Sequence, residues 1–468
     1  MLHPPLGILY VGGSLKKAGF KVKVYHRRPA DFDKLAREIA AQNPLFVGFS
    51  VLTGLPTYHS AKLSQKIKKL NPNLKIVWGG HHPTLTAEQC LNENYIDIVV
   101  MGEGEDTAVE LAATLKSDGD LNGILGIARK TGAGIKINPS RPRIKDLDRL
   151  EADWSLVNPE DYIIKNGNQR IIGFYSSRGC PYNCGFCSSS RFFERTWRPH
   201  SADYVVGQLK NFKEKFGING VIFADDNFFI DTKRAFEIIE NLRKIGIRTQ
   251  TLDIRINQLD DEVLKRLQDL EATGIFFGWE SGNNRLLELM DKGITREDIV
   301  EKTRLLAKYP KVSIWASGIL GLPTETKEET LNTVKTGLEI SKIHPYSVVS
   351  FQVYLPFPGT RFFDLAVKEG FVPPKNTEEW GEIDAYGQSR MASWLPWVTQ
   401  KDQRNMQMSG RYAKAMLHKN ITLNPLLRLA NNFFYFLAYQ RIKHQFFYFP
   451  IDFKIYQLLK KWWQKINN

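Results

Sequence analysis

The chain reads as an α/β protein of two successive parallel-sheet units: a doubly wound sheet, then a partial (β/α)6 barrel of the TIM type, with a helical C-terminal extension. Three observations predict this. Short β-rich apolar runs alternate with segments of helical periodicity over 1–135, and the alternation stops across the proline- and charge-bearing stretch 136–169. It resumes with six further strands over 170–365, ahead of an extension at 366–468. At 468 residues, 43% hydrophobic and 24% charged, the chain can bury an ordinary core in each unit.

In the first unit, helical periodicity at 7–18 leads to a strand at 21–25, a helix at 32–42 and the apolar strand 45–50. A helix at 58–70, strands at 75–78 and 96–100 and a helix at 107–115 follow. This alternation begins at a helix. The central first strand of a doubly wound sheet therefore lies upstream of Met1, or the sheet is built differently. Residues 136–169, with Pro139, Pro142 and Pro159, read as a linker without its own core. The second unit places strands at 171–176, 219–224, 249–254, 274–279, 313–320 and 347–354. Helices at 202–216, 234–245, 261–269, 296–307 and 327–341 separate them. Six strands fall short of the eight that close a barrel, and in such barrels chemistry gathers at the C-terminal strand ends.

Of four cysteines, three fall within eight residues, which is no disulfide framework and points to thiols that serve a metal in a reducing cytosol. The N-terminus lacks the basic and apolar regions of a signal peptide, and no apolar run approaches the ~18 residues of a membrane span. A net charge of +14 suits acidic partners or simply a lysine-rich surface.

The three thiols stand directly after the first barrel strand, in Ser177-Arg178-Gly179-Cys180-Pro181-Tyr182-Asn183-Cys184-Gly185-Phe186-Cys187. Three thiolates on one short loop suit three corners of a cubane and leave its fourth iron open; Cys90, in the first unit, reads as a buried structural thiol. A structural zinc site completed by His200 is the alternative.

This Cys-x3-Cys-x2-Cys spacing, with the aromatic Phe186 before the last cysteine, resembles the signature of the radical S-adenosylmethionine (SAM) superfamily. The resemblance implies a [4Fe–4S] cluster on Cys180, Cys184 and Cys187, with SAM chelating the open iron and cleaved reductively to a 5′-deoxyadenosyl radical. It further implies SAM contacts at Phe186 and at later strand ends. Asp225-Asp226-Asn227-Phe228 replaces the usual Gly-Gly-Glu and accepts from an ammonium group, and Arg255 pairs with a carboxylate. Glu280 and Ser281 end the fourth strand, and Gly321 follows the fifth, where adenine would pack. The plainer alternative makes Asp231 a helix cap, leaves Asp225 and Asp226 solvated and puts Arg255 at the surface.

Fragments of the first unit resemble the flavodoxin-like (Rossmann-type) cobalamin (B12)-binding domain fused ahead of radical SAM barrels: Pro4-Pro5-Leu6-Gly7, Ser50-Val51-Leu52, Gly79-Gly80 and Gly102-Glu103-Gly104-Glu105. Cobalamin contacts at Pro5, Gly7, Ser50, Leu52, Gly79, Gly80, Gly102 and Glu103 are what this implies, along the C-terminal sheet edge. The Asp-x-His-x-x-Gly motif that ligates cobalt is absent, which implies base-off cobalamin; His26, His81 and His82 read as exposed loop histidines.

After the turn Pro356-Phe357-Pro358-Gly359-Thr360, residues 376–400, with Trp380, Trp394 and Trp397, read as a cap on the barrel mouth. Residues 421–468 hold seven Lys or Arg, one acid (Asp452) and thirteen aromatics. They suit an interfacial helix on an anionic membrane or a helix packed on the barrel, with nucleic acid the least favoured partner.

Together the resemblances imply a cytoplasmic enzyme, placed peripherally at the inner face of the membrane if the tail binds it. Methylation of an unactivated carbon through methylcobalamin leads, on a small-molecule or lipid substrate, with a reductant such as flavodoxin or ferredoxin. A radical cyclase or rearrangement enzyme, as in the anaerobic cyclase of chlorophyll synthesis, is the near alternative. A non-catalytic cobalamin and iron–sulfur sensor is the alternative of another class. Methylthio transfer is disfavoured, because no second cysteine triad exists.

Overall fold

Parallel pairing dominates both sheets, as the strand–helix alternation requires. The computed structural model describes residues 4–26, 31–272, 274–344, 347–383, 394–415, 425–448 and 450–466. In the first unit Val47–Ser50, Ile76–Gly79 and Ile98–Val100 run parallel, with Ser50 beside Gly79 and Gly79 beside Val100. The strand ends therefore align along one edge. Trp78, Ile76 and Val99 pack with Ala36, Ala61 and Ile67, while Val77, Ile98 and Val100 pack with Leu111 and Ile127. Two strands that sequence reasoning missed, Ile127–Thr131 and Gly134–Ile137, extend the sheet antiparallel through a glycine-bearing turn.

The expected strand at 21–25 does not form. A strand needs a hydrogen-bonding neighbour, and Val47–Ser50 is the outer strand of its sheet among the described residues. Residues 21–26 are held instead on helix Phe32–Gln42, where Lys23 and Tyr25 donate to Glu38 at 2.9 and 3.0 Å. Nor is 136–169 a bare linker. Ile144, Leu147 and Leu150 are buried with Leu6 and Tyr10, and Ile164–Asn166 pairs antiparallel with the first barrel strand.

The barrel strands Gln169–Phe174, Gly220–Phe223, Thr251–Asp253, Gly274–Glu280, Ser313–Leu320 and Ser347–Val353 pair in parallel, as expected. The third strand begins as Arg248–Thr249 on the second strand and crosses at Gln250 to the fourth, which joins the two halves of the curved sheet. Ile172, Phe174, Val221, Phe223, Leu252, Ile275, Phe277 and Ile314 pack under the helices. The alternate positions carry Gly173, Gly220, Gly274 and Gly278 beside Phe276 and Trp315, and Trp315 stays 43% exposed. Ser201, Asp231, Asp260, Thr295 and Thr326 cap the barrel helices.

In the extension, Tyr412 of helix Gln400–Ala415 and Phe434, Ala438, Ile442 and Phe447 share a core with Leu320 and Leu322 of the barrel. Trp380 is buried in one cluster with Leu320, Leu322 and Tyr354 at the C-terminal strand ends; it also meets His82 of the first unit, ring centroids 5.1 Å apart, and its indole donates to Gln89 at 2.8 Å. Trp397 donates to the Gly321 carbonyl at 3.2 Å. Residues 384–393 of the expected cap, and 421–424, 449 and 467–468 of the tail, lie outside the described residues. No described helix is long and apolar enough to cross a membrane.

Candidate cofactor site

One tight glycine turn and a set of hydrogen bonds fix the course of the thiol loop. Ser177–Arg178 pairs with Arg198–Pro199, and Gly179 follows at φ +83°, where a Cβ would lie 2.2 Å from the Thr196 carbonyl oxygen. Gly185 donates to the Met290 carbonyl at 2.8 Å, the Cys187 N–H to the Cys184 carbonyl at 3.1 Å, and helix Ser188–Phe192 begins at once. Asp225 accepts from the Ser176 N–H at 2.7 Å and from the Ser176 and Ser177 hydroxyls at 2.6 Å, at the start of the loop. Asp226 accepts from Ser189 at 2.6 Å, just past its end. Asp225 is thus a buried brace rather than a solvated group, whereas Asp226 is exposed to solvent as it holds Ser189, and Asp231 does cap its helix. Burial raises Asp225 to about 6.

Arg255 lies against the loop. Its Cζ stands 3.8 Å above the Tyr182 ring, Nη1 is 3.4 Å from Cys184 Sγ, and Nη2 donates to the Lys292 carbonyl. Lys292 in turn reaches Glu280 at 2.7 Å and lies 5.9 Å from the Phe186 ring centre. Glu280 holds φ +59° at its strand end, a left-handed conformation rare for a glutamate. Ser281 is fully buried beside Thr333, and the space beyond Gly321 is taken by Leu395 and Met406. The structure therefore brings Phe186, Asp225, Asp226, Arg255 and Glu280 around the loop and turns Ser281 and Gly321 toward neighbouring packing.

Sequence reasoning missed Asp253 and Lys292. Asp253 ends the third strand, and burial first, then the charges of Asp225 and Asp226, raise it to about 8. Its strand-end position was the available signal; Lys292 carried none.

Along the first sheet, Ser50 and Leu52 are exposed at the strand ends. Gly80, at φ +96°, has Val51 backbone atoms 3.0 and 3.1 Å from a Cβ position. Gly7 has nothing within 4 Å of its Cβ position, and Pro5 precedes helix Leu6–Lys17. Neither His81 nor His82 is an exposed loop residue. His81 stacks on Phe192 at 4.0 Å and His82 is fully buried, and burial lowers them to about 4 and about 3. Their two-glycine strand end folds them inward onto the barrel and onto Trp380. His26 is half-buried on Tyr162 at 2.9 Å.

Glu103 is not open to a ligand. It accepts from Arg178 at 2.9 Å, Arg198 at 2.7 Å and the Ile144 N–H at 3.0 Å, while Glu105 takes Arg178 at 2.7 Å. Burial would raise Glu103, but Arg198 and Arg178 outweigh it and hold the carboxyl below its usual range. This buried charge cluster, with His81 on Phe192 and Pro4 against Gly173, joins the edge of the first sheet to the thiol loop.

The residues fit the groups expected of them. Gly179 makes a turn no side chain could enter, a guanidinium lies on one sulfur, and the Arg255 Nε is buried without a partner. Among the described residues no three His, Cys, Asp or Glu side chains converge on a single ion, and a cubane asks for none, since each thiolate takes a different iron. Burial lifts Cys180 to about 11 and Cys187 to about 12, so a cluster bound there would have to displace their protons. The zinc alternative loses its fourth ligand: His200 is engaged by Asp148 at 3.0 Å and Tyr10 at 3.4 Å. Cys90 is a buried thiol raised to about 12, as expected.

Residues 1–112 match the B12 binding domain and residues 174–337 the Radical SAM superfamily. An uncharacterized methyltransferase of Pyrococcus horikoshii is 31% identical over 81% of this chain and 82% of its own. The anaerobic magnesium-protoporphyrin IX monomethyl ester cyclase of Cereibacter sphaeroides is 28% identical over 77% of this chain and 60% of its own. Among solved structures, the radical SAM methyltransferase TsrM from Kitasatospora setae, with cobalamin and a [4Fe–4S] cluster bound, shares the fold. Its TM-score is 0.63 at 19% identity, over 78% of this chain and 76% of that one. With both family matches in the order that the two sheets display, the chain belongs to the cobalamin-binding radical SAM enzymes, whose cofactors are a [4Fe–4S] cluster, SAM and cobalamin.

Proposed function

We propose that the protein methylates an unactivated carbon, and that it does so where the cobalamin edge of the first sheet meets the thiol loop. The observation that carries the reading is the buried cluster of Glu103, Glu105, Arg178 and Arg198, which sets that edge directly against the loop. Together the bound cofactors supply reductive cleavage of SAM and transfer of a methyl group. The chain positions these groups and keeps water out.

In this reading Cys180, Cys184 and Cys187 hold the cluster, and Arg255 and Lys292 place positive charge beside it. Asp225 and Asp226 brace the loop, and Asp226 and Asp253 receive the SAM ammonium group. Phe186 and Glu280 shape the same space, with Ser281 and Gly321 supporting from behind. Pro5, Gly7, Ser50, Leu52, Gly79, Gly80 and Gly102 line the cobalamin side, and Glu103 acts through Arg178. The functional division is 1–135 for cobalamin, 136–169 as connector, 170–365 for radical chemistry and 366–468 as extension.

A reductant such as flavodoxin or ferredoxin, a small-molecule or lipid substrate and a cytoplasmic site at the membrane's inner face complete the proposal. Ring closure is the second reading, favoured by the similarity to the Cereibacter sphaeroides cyclase. Trideuteromethyl SAM, given to reconstituted and reduced protein, separates the two. Methylation carries deuterium onto the cobalamin, whereas cleavage of SAM with unlabelled cobalamin favours cyclisation. Without SAM consumption, the sensor stands.

A further inference from the structure

Independently of the methylation reading, we propose that the last two helices, Pro425–His444 and Ile451–Ile466, bind the surface of an anionic lipid bilayer. On the first of them Phe434, Ala438 and Ile442 recur at helical spacing and are buried. Leu429, Phe433 and Phe436 stand half a turn away and are 69, 63 and 55% exposed. On the second, Phe453 turns toward Tyr412 at 5.0 Å and Tyr456 toward Phe434 at 4.3 Å, while Ile451, Ile455 and Leu458 face outward. Phe446 and Tyr448, between the helices, are also exposed. Of the eighteen large apolar side chains exposed among the described residues, eight fall in 429–458. Single exposed apolar residues are ordinary; this concentration marks a surface that is covered in use.

Charge selects what covers it. Residues 421–468 hold seven Lys or Arg against Asp452 alone, and Asp452 is already paired with Arg441 at 2.9 Å. Lys443 is exposed at the end of the first helix, and Lys454 shares the outer stripe of the second with Ile451, Ile455 and Leu458. Apolar stripes edged by lysine match an interface of acyl chains beneath anionic headgroups. No described helix is fit to cross a bilayer, which leaves binding in the plane. Nucleic acid is a poorer occupant, because the aliphatic Leu429, Ile451, Ile455 and Leu458 offer bases nothing to stack on. A second copy is poorer too, because it would bring like charge to like charge.

The test is co-sedimentation of the full chain with phosphatidylcholine vesicles, with and without phosphatidylglycerol. Phe433→Ser/Ile455→Ser and Lys454→Glu are the variants, each checked for unchanged melting. All three positions are exposed, so the fold carries the changes. The wild type binds anionic vesicles at least about ten-fold better than neutral ones, less so at high salt. The double serine variant loses about ten-fold or more, and Lys454→Glu, which keeps every apolar contact, loses about five-fold. Equal binding by the variants, no preference for anionic vesicles, or no binding overturns the proposal. A concentration-dependent dimer abolished by the serine variant would assign the face to a second copy, and tRNA binding without vesicle binding would assign it to nucleic acid. None of these readouts involves SAM, so failure here removes the site at the membrane's inner face and leaves the methylation reading untouched.

Discussion

Arg178→Met removes one charge from a buried group of four. Arg178 is the cation that Glu103 and Glu105 share, and the carboxylate side chains are 6 and 4% exposed. Glu103 would keep Arg198, at 2.7 Å, but Glu105 bonds only Arg178 among the described contacts. Leaving one partner of such a pair buried and alone costs about 3–5 kcal/mol, a large part of an ordinary stability of about 5–15 kcal/mol. Urea unfolding followed by circular dichroism reads that loss as a lowered midpoint. Because Arg178 precedes Cys180 by two residues and its partners end the first sheet, cobalamin affinity and iron incorporation should fall together. Arg178→Lys keeps the charge without the fork that spans two carboxylates, and should lose about half as much. Adding Glu105→Gln to Arg178→Met should recover at least about 1 kcal/mol. A loss below about 1 kcal/mol in Arg178→Met, with unchanged cobalamin affinity, would refute the reasoning. If Glu103 instead touched cobalamin directly, Glu103→Gln would weaken cobalamin binding and leave iron incorporation alone.

Other consequences can be checked alongside. Cys184→Ala should abolish the charge-transfer absorbance of the reconstituted cluster, and retention of the full band would remove Cys184 from the ligand set. Gly179→Ala forces a Cβ against the Thr196 carbonyl at φ +83° and should cost about 2 kcal/mol or more, with reduced iron content; unchanged melting would speak against so tight a turn. His81 sits near 4 when folded against 6.5 when free, so its contribution is full above pH 6.5 and is lost as pH falls toward 4. Asp225, raised to about 6, works in the opposite direction, so the variant comparison is the clean one. Between pH 7 and pH 5, His81→Phe should lose about 2 kcal/mol less stability than the wild type, and parallel pH profiles would contradict this.

Much of the fold was legible because its elements are locally consistent. The barrel strands alternate an outward apolar set with an inward set that includes Gly173, Gly220, Gly274 and Gly278, and their helices open on Ser201, Asp231, Asp260, Thr295 and Thr326. Where a partner decides, local pattern failed. The alternation at 21–25 suits a strand, yet among the described residues no strand pairs with it. The cysteine loop stood out in the sequence because three thiols at that spacing have few other uses. The polar site was harder to read: a carboxylate's sequence position does not say whether it faces a ligand or an arginine. Glu103 faces Arg178 and Arg198, Asp225 faces Ser176 and Ser177, and Lys292 finds Glu280 across a turn. His81 and His82 were misread for the same reason, since the ring that buries His81 comes from the other unit and Trp380 from the distant extension.

The most direct test of the central claim quantifies 5′-deoxyadenosine and S-adenosylhomocysteine together, by mass spectrometry. The protein is reconstituted anaerobically with iron, sulfide, cobalamin, SAM and a strong reductant. Methylation driven by radical SAM chemistry predicts both products, each dependent on the reductant and each lost in Cys180→Ala. 5′-Deoxyadenosine accumulating without S-adenosylhomocysteine would contradict it and favour ring closure at the same site.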